Sequence, residues 1–174
     1  MALTVETGAG SSTADALVSL AGCNAYHTAL GNSDWTGTDG DKEAAIRRAT
    51  AILSAGFVWA GYRTHGRSQA LAWPRSGCAD IEGYGIASDT IPVEIVDACC
   101  EIALREIVSP GSVVPDVTPS EAVKREKVGS LEVEYVGAAT SPAAHRPVMA
   151  LVGAKLQPFL ATVSGEVFGK AVRA

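Results

Sequence analysis

The sequence predicts a mainly α protein, a small helical bundle of about four helices with a protruding antiparallel β-hairpin and extended terminal arms. Three observations lead to this prediction. Apolar residues recur at helical spacing in several segments, one short segment alternates apolar and charged residues, and linkers with Pro or Gly separate them. The 174 residues suit one domain, and an aromatic content of 6% with abundant Ala and Gly predicts a core of small side chains.

The N-terminal region predicts an arm followed by a helix. Residues 1–11 are small and polar, which is typical of a flexible N-terminal arm. Ser12 or Thr13 can cap a helix that continues to about Leu30, because the side-chain oxygen of either residue can accept a hydrogen bond from the first turn. Gly31 would end this helix, since glycine readily adopts the left-handed conformation found at helix C-termini.

Two further helices are predicted. The second covers about 41–55, with Asp39 or Asp41 as its cap and an apolar stripe on one face. In the third, "SDTIPVEIVDACCEIALREIV", Thr90 is the predicted cap, and Glu94 lies in the first turn, where a negative charge favours the helix dipole. The polar residues of this helix form a narrow stripe, so we expect it at the centre of the bundle.

The segment 56–90 contains six glycines and is predicted to be a long loop with one short helix, "RSQALA". We expect its aromatic residues to fasten it to the bundle. In "QALAWPRSG", Pro74 restricts the backbone of Trp73 to an extended conformation, and the Trp ring can bury a large apolar surface. We expect Arg75 to pair with a carboxylate. The residues predicted to form this structural plug are Trp59, Tyr62, Trp73 and Pro74.

A hairpin is predicted over about 122–136, within "AVKREKVGSLEVEYV". The alternation in "LEVEY" is typical of a strand, and Gly-Ser before it suits a tight turn. With that turn Lys127 faces Glu132. Arg125 then faces Glu134, so two pairs of opposite charge favour one register. A lone hairpin is marginally stable in water, so we expect it to contact a neighbouring copy. The residues predicted to form these subunit contacts are Arg125, Lys127, Leu131, Glu132, Val133, Glu134 and Tyr135.

The C-terminal region predicts a last helix over about 147–157 and an arm over 161–174. Pro158 would end or bend the helix. The arm is too short to form a core, and glycines separate its apolar residues, so we expect it to bind a surface outside its own core. The single domain is therefore expected to cover residues 12–160. The predicted arm contacts are Val163, Val167, Phe168, Lys170 and Arg173.

The composition disfavours several classes of function. The formal net charge of -5 opposes general affinity for duplex DNA, whose binders usually carry a basic surplus. The four cysteines lack zinc-site spacing and are expected to be buried and reduced. The three histidines form no metal or catalytic motif, and no nucleophile elbow or nucleotide fingerprint occurs. We therefore expect no catalytic residue, no metal and no cofactor. We also expect no signal peptide and no membrane span.

One cluster between residues 57 and 75 is typical of nucleic-acid binding, since four aromatic residues and three arginines lie within this short segment. Proteins that bind single-stranded DNA stack bases on aromatic rings beside positive charge. A chain this poor in aromatics also needs these rings to pack its long loop, and we favour packing. Buried rings would favour a structural role, and exposed rings in a basic groove would favour DNA. The cluster comprises Phe57, Trp59, Tyr62, Arg63, Arg67, Trp73 and Arg75.

Five stretches carry a resemblance to a known family. They are, in order, "ADALVSLAGCNAYHTALGNSDW", "DKEAAIRRATAIL", "SQALAWPRSG", "TIPVEIVDACCEIAL" and "VKREKVGSLEVEY". The chain resembles small proteins of tailed bacteriophages and prophages that are labelled DnaT-like single-stranded-DNA-binding proteins. It is also similar to head–tail connector (adaptor) proteins of long-tailed phages. The resemblance covers about residues 12–136, and "QALAWPR" with "KVGSLEVEY" is its most specific pair.

The resemblance implies a structural adaptor of the virion neck, assembled in the host cytoplasm. Such a protein forms a homo-oligomeric ring of twelve copies. The ring binds the portal protein and meets a tail-side neck component, which is a stopper, terminator or tail protein. In such a ring the C-terminal arm is expected to contact the portal or a neighbouring subunit. Genomic DNA would pass through the channel without specific binding, which suits an acidic chain. The alternative is a phage-encoded single-stranded-DNA-binding accessory protein. A small enzyme is a third, weaker interpretation, because the sequence reveals no polar pocket.

Overall fold

A computed structural model of the chain describes residues 2–114, 125–128, 131–134 and 149–161. Within these residues the helices are α1 (Leu20–Leu30), α2 (Asp39–Gly56), α3 (Val93–Val108) and α4 (Ala150–Leu156). The strands are β1 (Tyr62–Arg63), β2 (Arg75–Ser76), β3 (Arg125–Val128) and β4 (Leu131–Glu134), and 3-10 turns cover Gly66–Ser68 and Gln157–Phe159. The predicted fold class, mainly helical with an antiparallel hairpin, is confirmed.

The core is centred on α3, which contacts α1, α2 and α4. Ile95 and Ile102 lie on its buried face, and Ile46 and Leu53 of α2 are also fully buried. Each such side chain stabilises the fold by roughly 1.5–3 kcal/mol. The other buried positions of α3 carry Ala or Cys, apart from Glu106, and the small Ala and Cys side chains allow the helices to approach closely. The central position predicted for this helix is therefore confirmed.

The first helix begins later than predicted. It begins at Leu20, and Ser19 is its N-cap, with the Ser19 Oγ accepting a 3.0 Å hydrogen bond from the Gly22 N–H. The preceding residues are not helical, and Ala16 and Leu17 are buried in that conformation. Consecutive residues are buried in this segment, so its apolar side chains do not follow the spacing of a helix. Gly31 adopts the left-handed conformation and ends the helix, as predicted.

The caps of α2 and α3 also differ from the prediction. Thr38 caps α2 in a capping box, in which its side chain accepts from the Asp41 N–H and the Asp41 carboxylate accepts from the Thr38 N–H. Asp41 therefore lies inside the first turn of α2 and stabilises the cap from there, but it is not the N-cap residue. Pro92 is the N-cap of α3 and Thr90 makes no capping bond. Glu94 lies in the first turn of α3, as predicted.

The N-terminal segment differs from the predicted flexible arm over residues 2–11. Val5 forms a parallel bridge with Ala16, and the Glu6 side chain is buried. The Glu6 carboxylate accepts hydrogen bonds from the backbone N–H groups of Gly8, Gly10 and Ser11, at 2.7–3.0 Å. A carboxylate that satisfies three backbone donors orders the surrounding backbone.

The register of the hairpin is confirmed. β3 pairs with β4 in antiparallel orientation, with Arg125 opposite Glu134 and Lys127 opposite Glu132. The predicted turn and Tyr135 lie outside the described residues.

The C-terminal helix begins at Ala150, three residues after the predicted position, and a 3-10 turn over Gln157–Phe159 extends it. Pro158 lies in that turn, which a proline can join because its fixed φ suits a helical first turn. The predicted arm begins at residue 161. Its contact residues Val163, Val167, Phe168, Lys170 and Arg173 lie outside the described residues.

All four cysteines are buried and unpaired, as predicted. No helix in the described part of the chain is both long and apolar enough to cross a membrane.

Candidate nucleic-acid interface

Two tryptophans fasten the segment between α2 and α3 to the bundle. Trp73 is fully buried, and its ring meets the Trp59 ring edge-on at a centroid distance of 5.7 Å. Phe159, in the turn after α4, meets Trp73 on another side at 5.8 Å. The indole N–H of Trp59 donates to the Leu53 carbonyl at 3.0 Å. Pro74 is also buried, and the Trp73–Pro74 peptide bond is cis.

Tyr62 does not join this cluster, which differs from the plug prediction. Its side chain is 67% exposed. The reason is the pairing of β1 with β2, which places Tyr62 opposite Ser76 at the surface. A methyl group added to Gly77 would lie 3.7 Å from the Tyr62 ring, so the ring extends over this glycine. Tyr62 is therefore available for contact with a ligand.

Arg75 binds backbone carbonyls, which differs from the predicted carboxylate partner. It donates to the carbonyls of Ala60, Gly61 and Ala72 at 2.7, 2.8 and 3.1 Å. The side chain is buried, and this burial lowers the pKa of Arg75 below its usual value. Gly61 has a φ of 61°, and a Cβ there would lie 2.2 Å from the Ser76 carbonyl oxygen. Only glycine allows this close approach.

The predicted helix "RSQALA" is reduced to the 3-10 turn Gly66–Ser68. The buried side-chain amide of Gln69 explains the difference. It donates to the carbonyls of Leu71 and Pro74, both at 3.0 Å, and so stabilises a non-helical path.

A second small hairpin follows β2. The Ile86 N–H donates to the Cys78 carbonyl at 2.9 Å, and Asp80 Oδ1 accepts from the Tyr84 N–H at 2.9 Å. The tip exposes Ile81 (79%) and Tyr84 (69%). We call residues 57–90 the loop layer. Sequence reasoning missed Tyr84, although an Asp three residues before a Gly is a turn signal that places such a residue near a loop tip.

The exposed charges of the loop layer are mixed. His65 and Arg67 are exposed and Arg63 is half-buried, whereas Glu82 and Asp89 supply nearby negative charge. Within the described residues, no group of His, Cys, Asp and Glu side chains is arranged to hold a metal ion. The loop layer therefore exposes two tyrosine rings that can stack on bases and, at Arg67, a positive charge.

Comparison with known proteins gives one family. The model of the family described as "Putative DnaT-like ssDNA binding protein" matches residues 1–174. No curated protein and no solved structure matches the chain. Because the match covers the whole sequence, the chain belongs to the DnaT-like single-stranded-DNA-binding protein family.

Proposed function

We propose that this protein binds single-stranded DNA through the loop layer, with Tyr62 and Tyr84 stacking on bases. The observation that carries the proposal is the exposure of both rings in a chain of this family. Stacking on aromatic side chains contributes about 1–3 kcal/mol per base and tolerates any sequence. Trp59 and Trp73 take no part, since both are buried.

Arg67 and Arg63 supply the local charge for the phosphates, with His65 between them. The net charge of -5 and the nearby Glu82 oppose a continuous basic surface. Binding is therefore of modest affinity, depends mainly on stacking and weakens with salt. Each phosphate neutralised on a single strand contributes about -0.7 to the slope of the logarithm of the binding constant against the logarithm of the salt concentration.

The experiment is fluorescence anisotropy of labelled oligo-dT with the full chain over a range of salt concentrations. Tyr62→Ala or Tyr84→Ala should weaken binding by about tenfold, which is the loss of one stacked base. Tyr62→Phe keeps the ring and should retain affinity. Arg67→Ala should reduce the salt slope by about 0.7.

Leu30→Ala is the matched control, because Leu30 is 56% exposed on α1, outside the loop layer. An equal loss for Leu30→Ala, or no binding by the unaltered chain, would contradict the proposal.

A second candidate function is the ring adaptor of a phage neck that binds the portal protein. The observation that favours it is the hairpin, since within the described residues β3 and β4 pair with each other alone. Each strand has one unpaired edge that a neighbouring copy could use. Burial of Trp59 and Trp73, two of the three rings that distinguish the functions, also supports a structural role.

The two functions are separated by measuring the mass of the chain alone, with its portal, and with single-stranded DNA at physiological salt. A twelvefold complex on the portal without DNA binding would support the adaptor. A salt-sensitive DNA complex without portal binding would support the loop-layer proposal.

A further inference from the structure

An apolar groove of about 600 Å³ lies at the C-terminal end of α2. Ile52 and Phe57 form one wall, Ile102 of α3 lies at the base, and Met149 and Gly153 form the wall on the α4 side. Its lining residues are all apolar or glycine. A groove of this size without a polar side chain favours an apolar occupant over a charged ligand.

The described chain ends beside this groove. Leu160 pairs with Trp59 in antiparallel orientation, and the Ala161 N–H donates to the Val58 carbonyl at 2.9 Å. Antiparallel segments run in opposite directions. Continuation of this path beyond Ala161 therefore leads alongside Phe57 and then Gly56, and both of these residues line the groove.

The chain beyond Ala161 is long enough to follow the groove and carries apolar side chains that suit its lining. Residues 162–174 extend by roughly 40 Å when fully stretched. The wall formed by α4 has seven residues and is about 10 Å long. The segment includes Val163, Val167 and Phe168, which are side chains that gain free energy when they leave water.

We propose that residues 162–174 of the same chain occupy the groove and pack against Phe57 and Met149. A segment tethered beside its site binds at a high effective concentration, which favours the chain's own tail over that of a second copy. This assignment differs from the portal or neighbour contact expected for the arm. It does not rest on the proposed DNA binding.

Met149 provides the reporter for the test, because it is the one methionine among the described residues. The methyl signal of ¹³C-methionine-labelled protein is compared between the full chain and a chain that stops after Ala161. Circular dichroism checks that the shortened chain is folded. We expect the Met149 signal to move on truncation and to return when a synthetic 162–174 peptide is added. An identical signal in both chains, or no response to the peptide, would overturn the proposal.

Gly153 lines the groove and is a suitable position for a blocking side chain, since a Cβ added there meets no described atom within 4 Å outside the nearby backbone of its own helix. In the shortened chain, Gly153→Trp should abolish the peptide response. Ala154→Trp is the matched control, because Ala154 is exposed on the same helix and does not line the groove. A peptide response that survives Gly153→Trp would overturn the site.

A mixing experiment tests whether the tail belongs to the same chain. Unlabelled full chains carrying a spin label at Lys170→Cys are mixed with ¹³C-labelled full chains. In a sample whose chains carry both the spin label and the ¹³C label, we expect the Met149 signal to broaden. In the mixture, where the two labels are on different chains, we expect no broadening. Broadening in the mixture would overturn assignment to the chain's own tail and favour exchange between copies.

Discussion

The helical bundle and the loop layer are held together by different interactions. In the bundle the helices satisfy their own backbone groups, and apolar side chains such as Ile46 and Ile95 fill the space between them. In the loop layer β1 and β2 have two residues each, so few backbone groups pair with one another. Arg75 and Gln69 satisfy the backbone carbonyls there.

This difference changes how a buried polar residue is interpreted. A buried arginine in a regular bundle would indicate a binding site or an ion pair. In the loop layer Arg75 replaces the hydrogen bonds that a longer strand would supply, which is a structural task. The exposed tyrosines of the same layer are not needed for this task, so they are free to serve a ligand.

The largest effect is expected at the contact between the two regions. Trp73→Ala removes the fully buried ring that meets Trp59 and Phe159. It should lower the free energy of unfolding by about 3–5 kcal/mol, as measured by urea denaturation. Tyr62→Ala in the same layer is the control and should change stability by less than about 0.5 kcal/mol. Equal stability of the Trp73 variant and the unaltered chain would exclude a packing role.

The second effect tests whether hydrogen bonds to side chains hold the loop layer. Arg75→Met keeps much of the apolar side chain and leaves the carbonyls of Ala60, Gly61 and Ala72, of which that of Ala72 is buried, without this donor. We expect a loss of about 3 kcal/mol in thermal or urea unfolding. Arg75→Lys should lose less, because an ammonium group can still bind some of these carbonyls. A neutral Arg75→Met variant would show that the hydrogen bonds of Arg75 do not hold the layer.

A smaller effect is expected in the N-terminal segment that packs against the loop layer. Glu6→Gln replaces one of the two carboxylate oxygens that accept from Gly8, Gly10 and Ser11. Stability should fall by about 1.5 kcal/mol. Hydrogen exchange should accelerate at these three amides and stay unchanged in α3. Uniform acceleration throughout the chain would instead mean that this segment unfolds together with the bundle.

The smallest effect is expected in the helical bundle, where the buried His27 should make the stability depend on pH near neutrality. Burial lowers the pKa of His27 below its usual 6.5, while Glu101 opposes the shift and Lys42 adds to it. The unfolded chain therefore binds a proton at a higher pH than the folded chain does, and stability should fall as pH decreases below about 6.5. Thermal unfolding between pH 5 and 7.5 measures this slope. His27→Gln should flatten it, and an unchanged slope would assign the dependence to other groups.

Periodicity predicted the regular elements because their side chains repeat with the backbone. The centre of α2, the whole of α3 and the register of β3 with β4 follow from apolar spacing and paired charges. The start of α1 could not be predicted in the same way. Residues before Ser19 are buried by contacts with distant residues, such as the Leu17 N–H with the Thr50 hydroxyl.

The orientation of the aromatic residues was beyond sequence reasoning. Trp59, Tyr62 and Trp73 lie within one irregular segment, where no fixed period relates neighbouring side chains. Their exposure depends on the short pairing of β1 with β2 and on carbonyls bound by Arg75. The sequence could therefore identify the cluster but not separate the buried tryptophans from the exposed tyrosine.

The bridge between Trp59 and Leu160 also has a kinetic consequence. It joins residues separated by about a hundred positions, whereas contacts of α2 with α3 join residues about half as far apart, such as Thr50 with Cys99 at 49 positions and Arg48 with Glu106 at 58. Closing so long a connection costs chain entropy before it gains contacts, so it is expected late in folding. Substitutions at this bridge should then accelerate unfolding and leave the folding rate nearly unchanged, while substitutions between α2 and α3 slow folding.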